Sequence, residues 1–221
     1  GSTDKAVGKF LDNYTGNDRI LIKYNEINSH ISEASNVALK YATGEFVTFL
    51  DHDDELHTQA LATVVSYLNE TPKADFLYSD EDKIDEHGIR KDPFFKPDWN
   101  PDLLLSQNYI CHLAVYRTSI LKKIGGLTKG VEGAQDYDLV LRFTEETGNI
   151  VHIPHVLYHW RSIKGSTALA GNEKDYAHAR AVKVLENALV RRGIKATVGS
   201  TGLGAFHRIC YSIPAPNPLD S

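Results

Sequence analysis

Two periodicities alternate along the first part of the chain. Val7, Phe10 and Leu11 recur at helical spacing behind Asp4, and Ala34, Val37, Ala38 and Tyr41 do the same within Ser32–Ala42, a second helix closed by Gly44. Elsewhere the apolar residues run together. Arg19-Ile-Leu-Ile-Lys23, Phe46-Val-Thr-Phe-Leu50 and Asp75-Phe-Leu-Tyr78 each predict a short strand, and Gln59–Leu68 predicts a helix between the last two. Helix and strand thus alternate in the order that builds βαβ units on a parallel sheet, with Phe46–Leu50 buried inside it.

The pattern changes after Ser79. Glu86-His-Gly88 separates two short apolar stretches and predicts a hairpin turn. Pro93–Pro101 is too rich in proline for a helix interior or central strand, and reads as an ordered loop presenting Lys96 and Trp99. Leu113–Tyr116 predicts a strand and Ser119–Ile124 a short helix stopped by Gly125-Gly126. The loop Gly130–Asp138, flexed by glycines, opens a helix reaching Glu146. Val151–Arg161 is strand-like, Ser162–Thr167 is small and polar, and Asp175–Arg192 is a long amphipathic helix. Two short strand candidates precede a proline-rich end, Ile213–Leu219, that reads as an interdomain linker. The expected organisation is one α/β unit over residues 1–170 and a C-terminal helix, short strands and linker over 171–221.

Composition narrows the function. Apolar residues make up 42% and charged residues 24%, which is ordinary globular material. The formal net charge of −5 argues against nucleic acid as the main partner, because a polyanion needs a basic face. No apolar run approaches a membrane span. Cys111 and Cys210 stand in no metal-ligand spacing and are expected to be reduced core thiols of a cytoplasmic protein. Methionine is lacking even at the start, as in an excised or processed segment.

The candidate chemistry begins where Phe46–Leu50 runs into Asp51-His-Asp-Asp54. Ligands in open α/β sheets sit beyond the carboxyl ends of strands, and carboxylates crowded there repel one another unless a cation neutralises them. Mg²⁺ and Mn²⁺ bind one or two carboxylates together with the oxygens of a diphosphate. A turn capping the next helix is the alternative. A second acidic site, Asp136 and Asp138, lies far away in sequence. Metal-dependent transfer from a nucleotide diphosphate needs such a division: one group holds the cation that neutralises the leaving group, and a separate carboxylate takes the proton from the attacking hydroxyl. Asp136 fits that second role, or that of a helix N-cap. His159 is either a third metal ligand or a satisfied strand histidine. Arg161, Lys164, Ser166 and Thr167 form either a lid over a diphosphate or a solvated loop.

These motifs together resemble the inverting family-2 glycosyltransferases of GT-A fold, of the bacterial O-antigen and surface-polysaccharide type. The resemblance rests on Asn28-x₄-Glu33-Ala-Ser-Asn36, Gly44-Glu-Phe-x₃-Leu-Asp-His-Asp-Asp54, Tyr78-Ser-Asp-Glu-Asp82, Phe95-Lys-Pro-Asp-Trp99, Gly133-Ala-Gln-Asp-Tyr-Asp138 and Tyr158-His-Trp-Arg161, all in order. It implies an α/β GT-A fold with a mixed, mainly parallel sheet flanked by helices. Asp51-His-Asp53 would be the D-x-D element, with Asp53 on the metal, Asp51 on the ribose and metal shell, and Asp54 a rival ligand. Asp136 would be the general base, in the family's acidic motif beside Gln135. Asn36, Arg161 and Ser166 would contact the nucleotide diphosphate. Asp80, Asp82, Lys96, Trp99 and Gln135 would face donor sugar or acceptor. The implied reaction is a single displacement from a UDP-sugar onto a glycan or lipid-linked glycan hydroxyl, assisted by Mn²⁺ or Mg²⁺, in the cytoplasm or at the inner face of the membrane.

The chain departs from the family at its start. Members begin with a strand, a helix and a second strand ending in Asp-Asp-Gly-Ser-Thr-Asp, whereas this chain opens at Gly1-Ser-Thr-Asp4, within that motif. It is therefore expected to be N-terminally truncated, without the base-binding carboxylates. His30 stands where glycine is common. Arg191–Leu219 resembles a connector to a second glycosyltransferase domain. A non-catalytic module that binds glycan or a partner domain is the competing reading. A nucleotidyltransferase is disfavoured because no Gly-rich phosphate loop is present, and a phosphatase pattern built on Asp51-x-Asp53 is loose.

Overall fold

The computed structural model describes residues 4–28, 30–162, 171–203 and 206–213. Lys164, Ser166 and Thr167 of the expected lid, and residues 214–219 of the expected linker, lie outside them. The helices are α1 (Lys5–Asp12), α2 (His30–Tyr41), α3 (Ala60–Glu70), α4 (Pro101–Ser106), α5 (Thr118–Lys123), α6 (Gln135–Thr144) and α7 (Gly171–Arg191). The strands are β1 (Phe46–Thr48), β2 (Glu55–Leu56), β3 (Phe76–Ile84), β4 (Arg90–Phe94), β5 (Ala114–Arg117), β6 (Ile150–Arg161), β7 (Ala196–Ser200) and β8 (His207–Tyr211).

Six strands form one sheet in the order β1-β5-β3-β6-β2, with β4 paired to β3 beyond that path. The expected mixed sheet is present, but its balance is reversed. Of its pairings only β3 with β6 is parallel; β1–β5, β3–β5, β3–β4 and β2–β6 are antiparallel. Phe46–Leu50 is not the buried central strand expected. Its paired part, β1, is half-buried and, among the described residues, joins the sheet through β5 alone. Arg19–Lys23 forms no strand, because among the described residues no neighbour supplies the ladder bonds that would turn an apolar run into one.

The sheet centres on β3, whose alternate residues feed two cores. Phe76 and Tyr78 point into the larger core, where Phe76 stacks on Tyr116 at 4.9 Å and meets Phe143 at 5.5 Å. Leu77 points into the other, against Val64, Val115 and Leu157. Val184, Leu185 and Ala188 of α7 belong to the larger core, and Val198 and Ile209 of the β7–β8 hairpin pack on it. The segment after residue 170 therefore shares a core with what precedes it.

Beside β3, β6 breaks register. Ser79 pairs with Ile153 and Asp80 with Val156, so Pro154 and His155 bulge out of the ladder. Proline has no N–H to give, and a bulge re-aims the residues beyond it. Those residues are Tyr158, His159, Trp160 and Arg161.

α2 packs through a face other than the one its apolar spacing predicts. Ser32 and Leu39 are buried, while Ala34, Ala38 and Tyr41 are exposed. The reason is Asn36, whose amide donates to Leu127 O (2.8 Å) and accepts from Leu127 N (2.9 Å). Gly126 makes room for it: a Cβ there would stand 2.4 Å from Asn36 Oδ1. The hairpin turn is as expected, with the Asp85 carboxylate accepting from His87 N and Ile89 N, each at 2.9 Å. Cys210, expected in the core, is exposed, and Cys111 is half-buried.

Candidate active site

A cleft of about 520 Å³ opens between the residues following β1, the loop joining α4 to β5, the start of α6 and the bulged end of β6. Asp51, Cys111, His112, Gln135, Asp136 and Trp160 are among its lining residues.

Asp51, Asp54 and His112, of which Asp51 and His112 line the cleft, each offer a ligand atom, and these atoms lie within 4.8 Å of one another. Three contacts fix the arrangement. Tyr158 Oη donates to Asp54 Oδ2 at 2.6 Å and accepts from Asp51 N at 3.3 Å, so one phenol spans the acidic turn. The His112 ring stacks on the Tyr158 ring at 4.4 Å, with its Nε2 3.8 Å from Asp51 Oδ2. Arg161 N donates to Asp54 Oδ1 at 2.8 Å. Burial holds the Asp54 carboxyl above the usual aspartate range. The two hydrogen bonds oppose this, and the charges of Asp53 and Asp51 add to it. Carboxylates that raise one another's proton affinity are a site a cation relieves. Two carboxylates and an imidazole suit a divalent ion such as Mn²⁺, and each carboxylate keeps lone pairs beyond those its hydrogen bonds use.

Asp136, also on the cleft lining, stands in the first turn of α6. It is not the N-cap, a position held by Ala134 without a side-chain bond. Its Oδ2 accepts from Asn108 Nδ2 at 2.8 Å. Burial raises its proton affinity. The nearby His112 and the backbone N–H groups of Tyr137 and Asp136 pull the other way, and Asp51 pushes it up further. A half-buried carboxylate with raised proton affinity in a cleft is well placed to accept a proton.

The loop from Gln107 to Leu113 serves both groups, with Asn108 bonded to Asp136 and His112 beside Asp51 of the acidic turn. Lys96 holds it from below. The Lys96 side chain is 0% exposed, and its Nζ donates to Glu81 Oε2 (3.1 Å) and to the carbonyls of Ile110 and His112. Glu81 Oε2 also accepts from His112 N at 2.9 Å.

Several expected site residues are placed otherwise. Lys96 and the acidic residues of β3 are buried and paired with one another and with other protein groups. Asp80 is 3% exposed and bonded to His152 and Lys96 N, and Asp82 is 4% exposed between His159 and Arg90. His159 is not among the residues of this cluster; its Nδ1 lies 2.5 Å from Asp82 Oδ1 on the neighbouring strand. His112 stands in the cluster instead; it lies in a loop with no ligand spacing around it to mark it in the sequence. Asp53 is outside the cluster. Its carboxylate lies 3.7 Å from His52, and its carbonyl accepts from Arg161 Nε. The Arg161 guanidinium also donates to Glu55, so it is tied down beside the acidic turn, while its backbone N–H is the group that donates to Asp54. Asn36 clamps Leu127 and is absent from the cleft lining. Trp99 packs half-buried against the larger core. Gln135 does line the cleft, and its Oε1 accepts from Gly133 N at 2.6 Å. Asp138 is buried against Arg142 at 2.8 Å.

Comparison with known proteins fits this architecture. The O-antigen biosynthesis protein RfbC of Myxococcus xanthus is 42% identical over 169 residues, covering 76% of this chain and 13% of that protein. Curated relatives that the chain matches are much longer than it; it spans 13% of RfbC and 21% of another. Among solved structures, Staphylococcus aureus TarS 1-349 in complex with UDP-GlcNAc superposes with a TM-score of 0.63 at 20% identity, covering 86% of this chain and 61% of that one. The mannosyltransferase PcManGT of Pyrobaculum calidifontis, in complex with GDP-Man and Mn²⁺, does so with a TM-score of 0.54 at 17% identity, covering 87% and 64%. The fold is that of the GT-A glycosyltransferases. The model of the family described as "Glycosyl transferase family 2" matches residues 1–125, more than half of the sequence, and the chain belongs to that family.

Proposed function

We propose that this domain transfers a glycosyl group from a nucleoside-diphosphate sugar, a UDP-sugar, to a hydroxyl of a glycan or lipid-linked glycan, with inversion at the anomeric carbon. The observation that carries the reading is that one cleft brings together two kinds of acidic group. Asp51 and His112 of a carboxylate–carboxylate–imidazole cluster line it, and so does Asp136, a carboxylate of raised proton affinity. The solved complexes of TarS with UDP-GlcNAc and of PcManGT with GDP-Man and Mn²⁺ support a nucleotide-sugar donor and a divalent ion.

Asp51, Asp54 and His112 hold Mn²⁺ in this reading. The bound ion supplies positive charge against the leaving diphosphate. Tyr158 and Arg161 keep the Asp54 carboxylate aimed at the ligand position. Asp136 takes the proton from the acceptor hydroxyl as that oxygen attacks the anomeric carbon from the face opposite the leaving group, so the configuration inverts. Lining by Trp160, Phe49 and Tyr116 reduces water access to the reacting centre. The linkage to a second glycosyltransferase domain, and a site of action at the inner membrane face, belong to the same proposal; no helix among the described residues is long and apolar enough to cross a membrane.

The test is calorimetric titration of UDP into the chain with Mn²⁺ and with chelator, repeated on Asp54→Ala and His112→Ala. Binding that needs Mn²⁺ and is lost in both variants is expected. Metal-independent binding, or none in a folded sample, refutes the reading.

A further inference from the structure

Asn108 has a geometry that packing alone does not explain. Its Nδ2 donates to Asp136 Oδ2 at 2.8 Å, while its Oδ1 is buried with no hydrogen-bond partner. A buried acceptor left unpaired costs free energy. Turning the amide over would set that oxygen against the carboxylate, an acceptor against an acceptor, so the observed orientation is the one its contact with Asp136 dictates. The backbone is committed to the same end: Asn108 O accepts from the thiol of Cys111, whose own backbone is left-handed (φ 39°), and Ile110 O accepts from Lys96.

We infer that Asn108 is a positioning residue for Asp136, occupying Oδ2 so that the carboxylate is held at the cleft wall and receives the acceptor's proton on Oδ1. The assignment rests on the glycosyl-transfer reading only for the origin of that proton. The hydrogen bond favours the charged form of Asp136, the form a base must have. The groups facing Asp136 from other elements are His112 and Cys111 on the loop that carries Asn108, Asp51 after β1 and Tyr116 on β5, with Tyr137 beside it on α6; none of them is altered in the Asn108 variants.

Two variants test this, Asn108→Ala and Asn108→Ser, the second keeping a hydroxyl that can donate. The carboxyl ¹³C signal of Asp136, assigned with Asp136→Asn, is followed through a pH titration of metal-free protein. UDP release from a set of UDP-sugars with Mn²⁺ is measured in parallel. In Asn108→Ala the Asp136 signal titrates at higher pH than in the parent, kcat falls about tenfold with KM unchanged, as for one lost charge-assisted hydrogen bond, and Asn108→Ser restores part of both. Identical titration of Asp136 in parent and Asn108→Ala overturns the inference, as does a loss of activity confined to KM. If the titration moves but the folded parent releases no UDP from any donor, the hold on Asp136 stands and the glycosyl-transfer reading fails.

Discussion

Replacing Lys96 by methionine removes a charge from a place where water cannot substitute for it. The ammonium has three donors, and Glu81, Ile110 O and His112 O use all three. The lysine side chain is 0% exposed and that of Glu81 8%. In the variant the Glu81 carboxylate keeps only the amide of His112, and two carbonyls of the loop lose their donor. Breaking a buried pair from one side costs about 3–5 kcal/mol. This exceeds the near-zero to 1 kcal/mol of an exposed pair and is a large part of the total stability of about 5–15 kcal/mol. Urea denaturation followed by circular dichroism measures it, provided the slope is unchanged. Lys96→Met/Glu81→Leu should recover part of the loss, because the stranded charge is gone. Recovery stays incomplete, since His112 N–H then has no acceptor. Because His112 sits at the end of the same loop, Mn²⁺ affinity should fall in Lys96→Met even where the protein is folded. A cost below about 1 kcal/mol, with Mn²⁺ affinity intact, would refute the argument that this pair builds the site.

Other consequences can be checked independently. Tyr158→Phe deletes the hydroxyl that orients Asp54 and the Asp51 amide; calorimetry should show Mn²⁺ affinity reduced about 10–100-fold, as for other outer-shell partners. Asn36→Ala breaks two bonds to Leu127 and should cost about 1–3 kcal/mol in chemical denaturation. Gly126→Ala should destabilise as well, since its φ of 70° disfavours a side chain and the new Cβ would meet Asn36. Asp136→Asn should lower kcat about 10²–10⁴-fold. In the parent the acid limb of kcat/KM should lie above the ordinary aspartate range, because burial raises the proton affinity of Asp136 and only the deprotonated form accepts a proton. The same shift gives a stability prediction. A carboxyl raised on folding contributes stability fully below its unfolded pKa and loses it as pH rises through the folded value, so Asp136→Asn should melt higher than the parent at pH 7 while being less active. An equal or lower melting temperature would count against the buried charge.

Local chemistry made much of the chain legible in advance. The helices over Ala60–Glu70, Gln135–Thr144 and Thr118–Lys123, and the hairpin around Asp85–Gly88, follow from apolar spacing and turn residues acting within a few positions of one another. So do the acidic turn at Asp51–Asp54 and the placement of Asp136 at a helix start. Everything that depended on a partner remote in sequence had to wait for tertiary structure. Asp80 and Asp82 read from sequence as carboxylates free to meet donor or acceptor; tertiary structure sets His152 and the Lys96 amide against the first and His159 and Arg90 against the second. Arg19–Lys23 has strand composition but no ladder partner among the described residues, and a ladder is a property of two segments. Carboxylates and imidazoles look alike in sequence whether they are free or paired. What separates His112 from His159 is the Tyr158 ring beneath the one and the Asp82 carboxylate beside the other, a difference of neighbours brought in by the bulge at Pro154 and the loop that Lys96 pins.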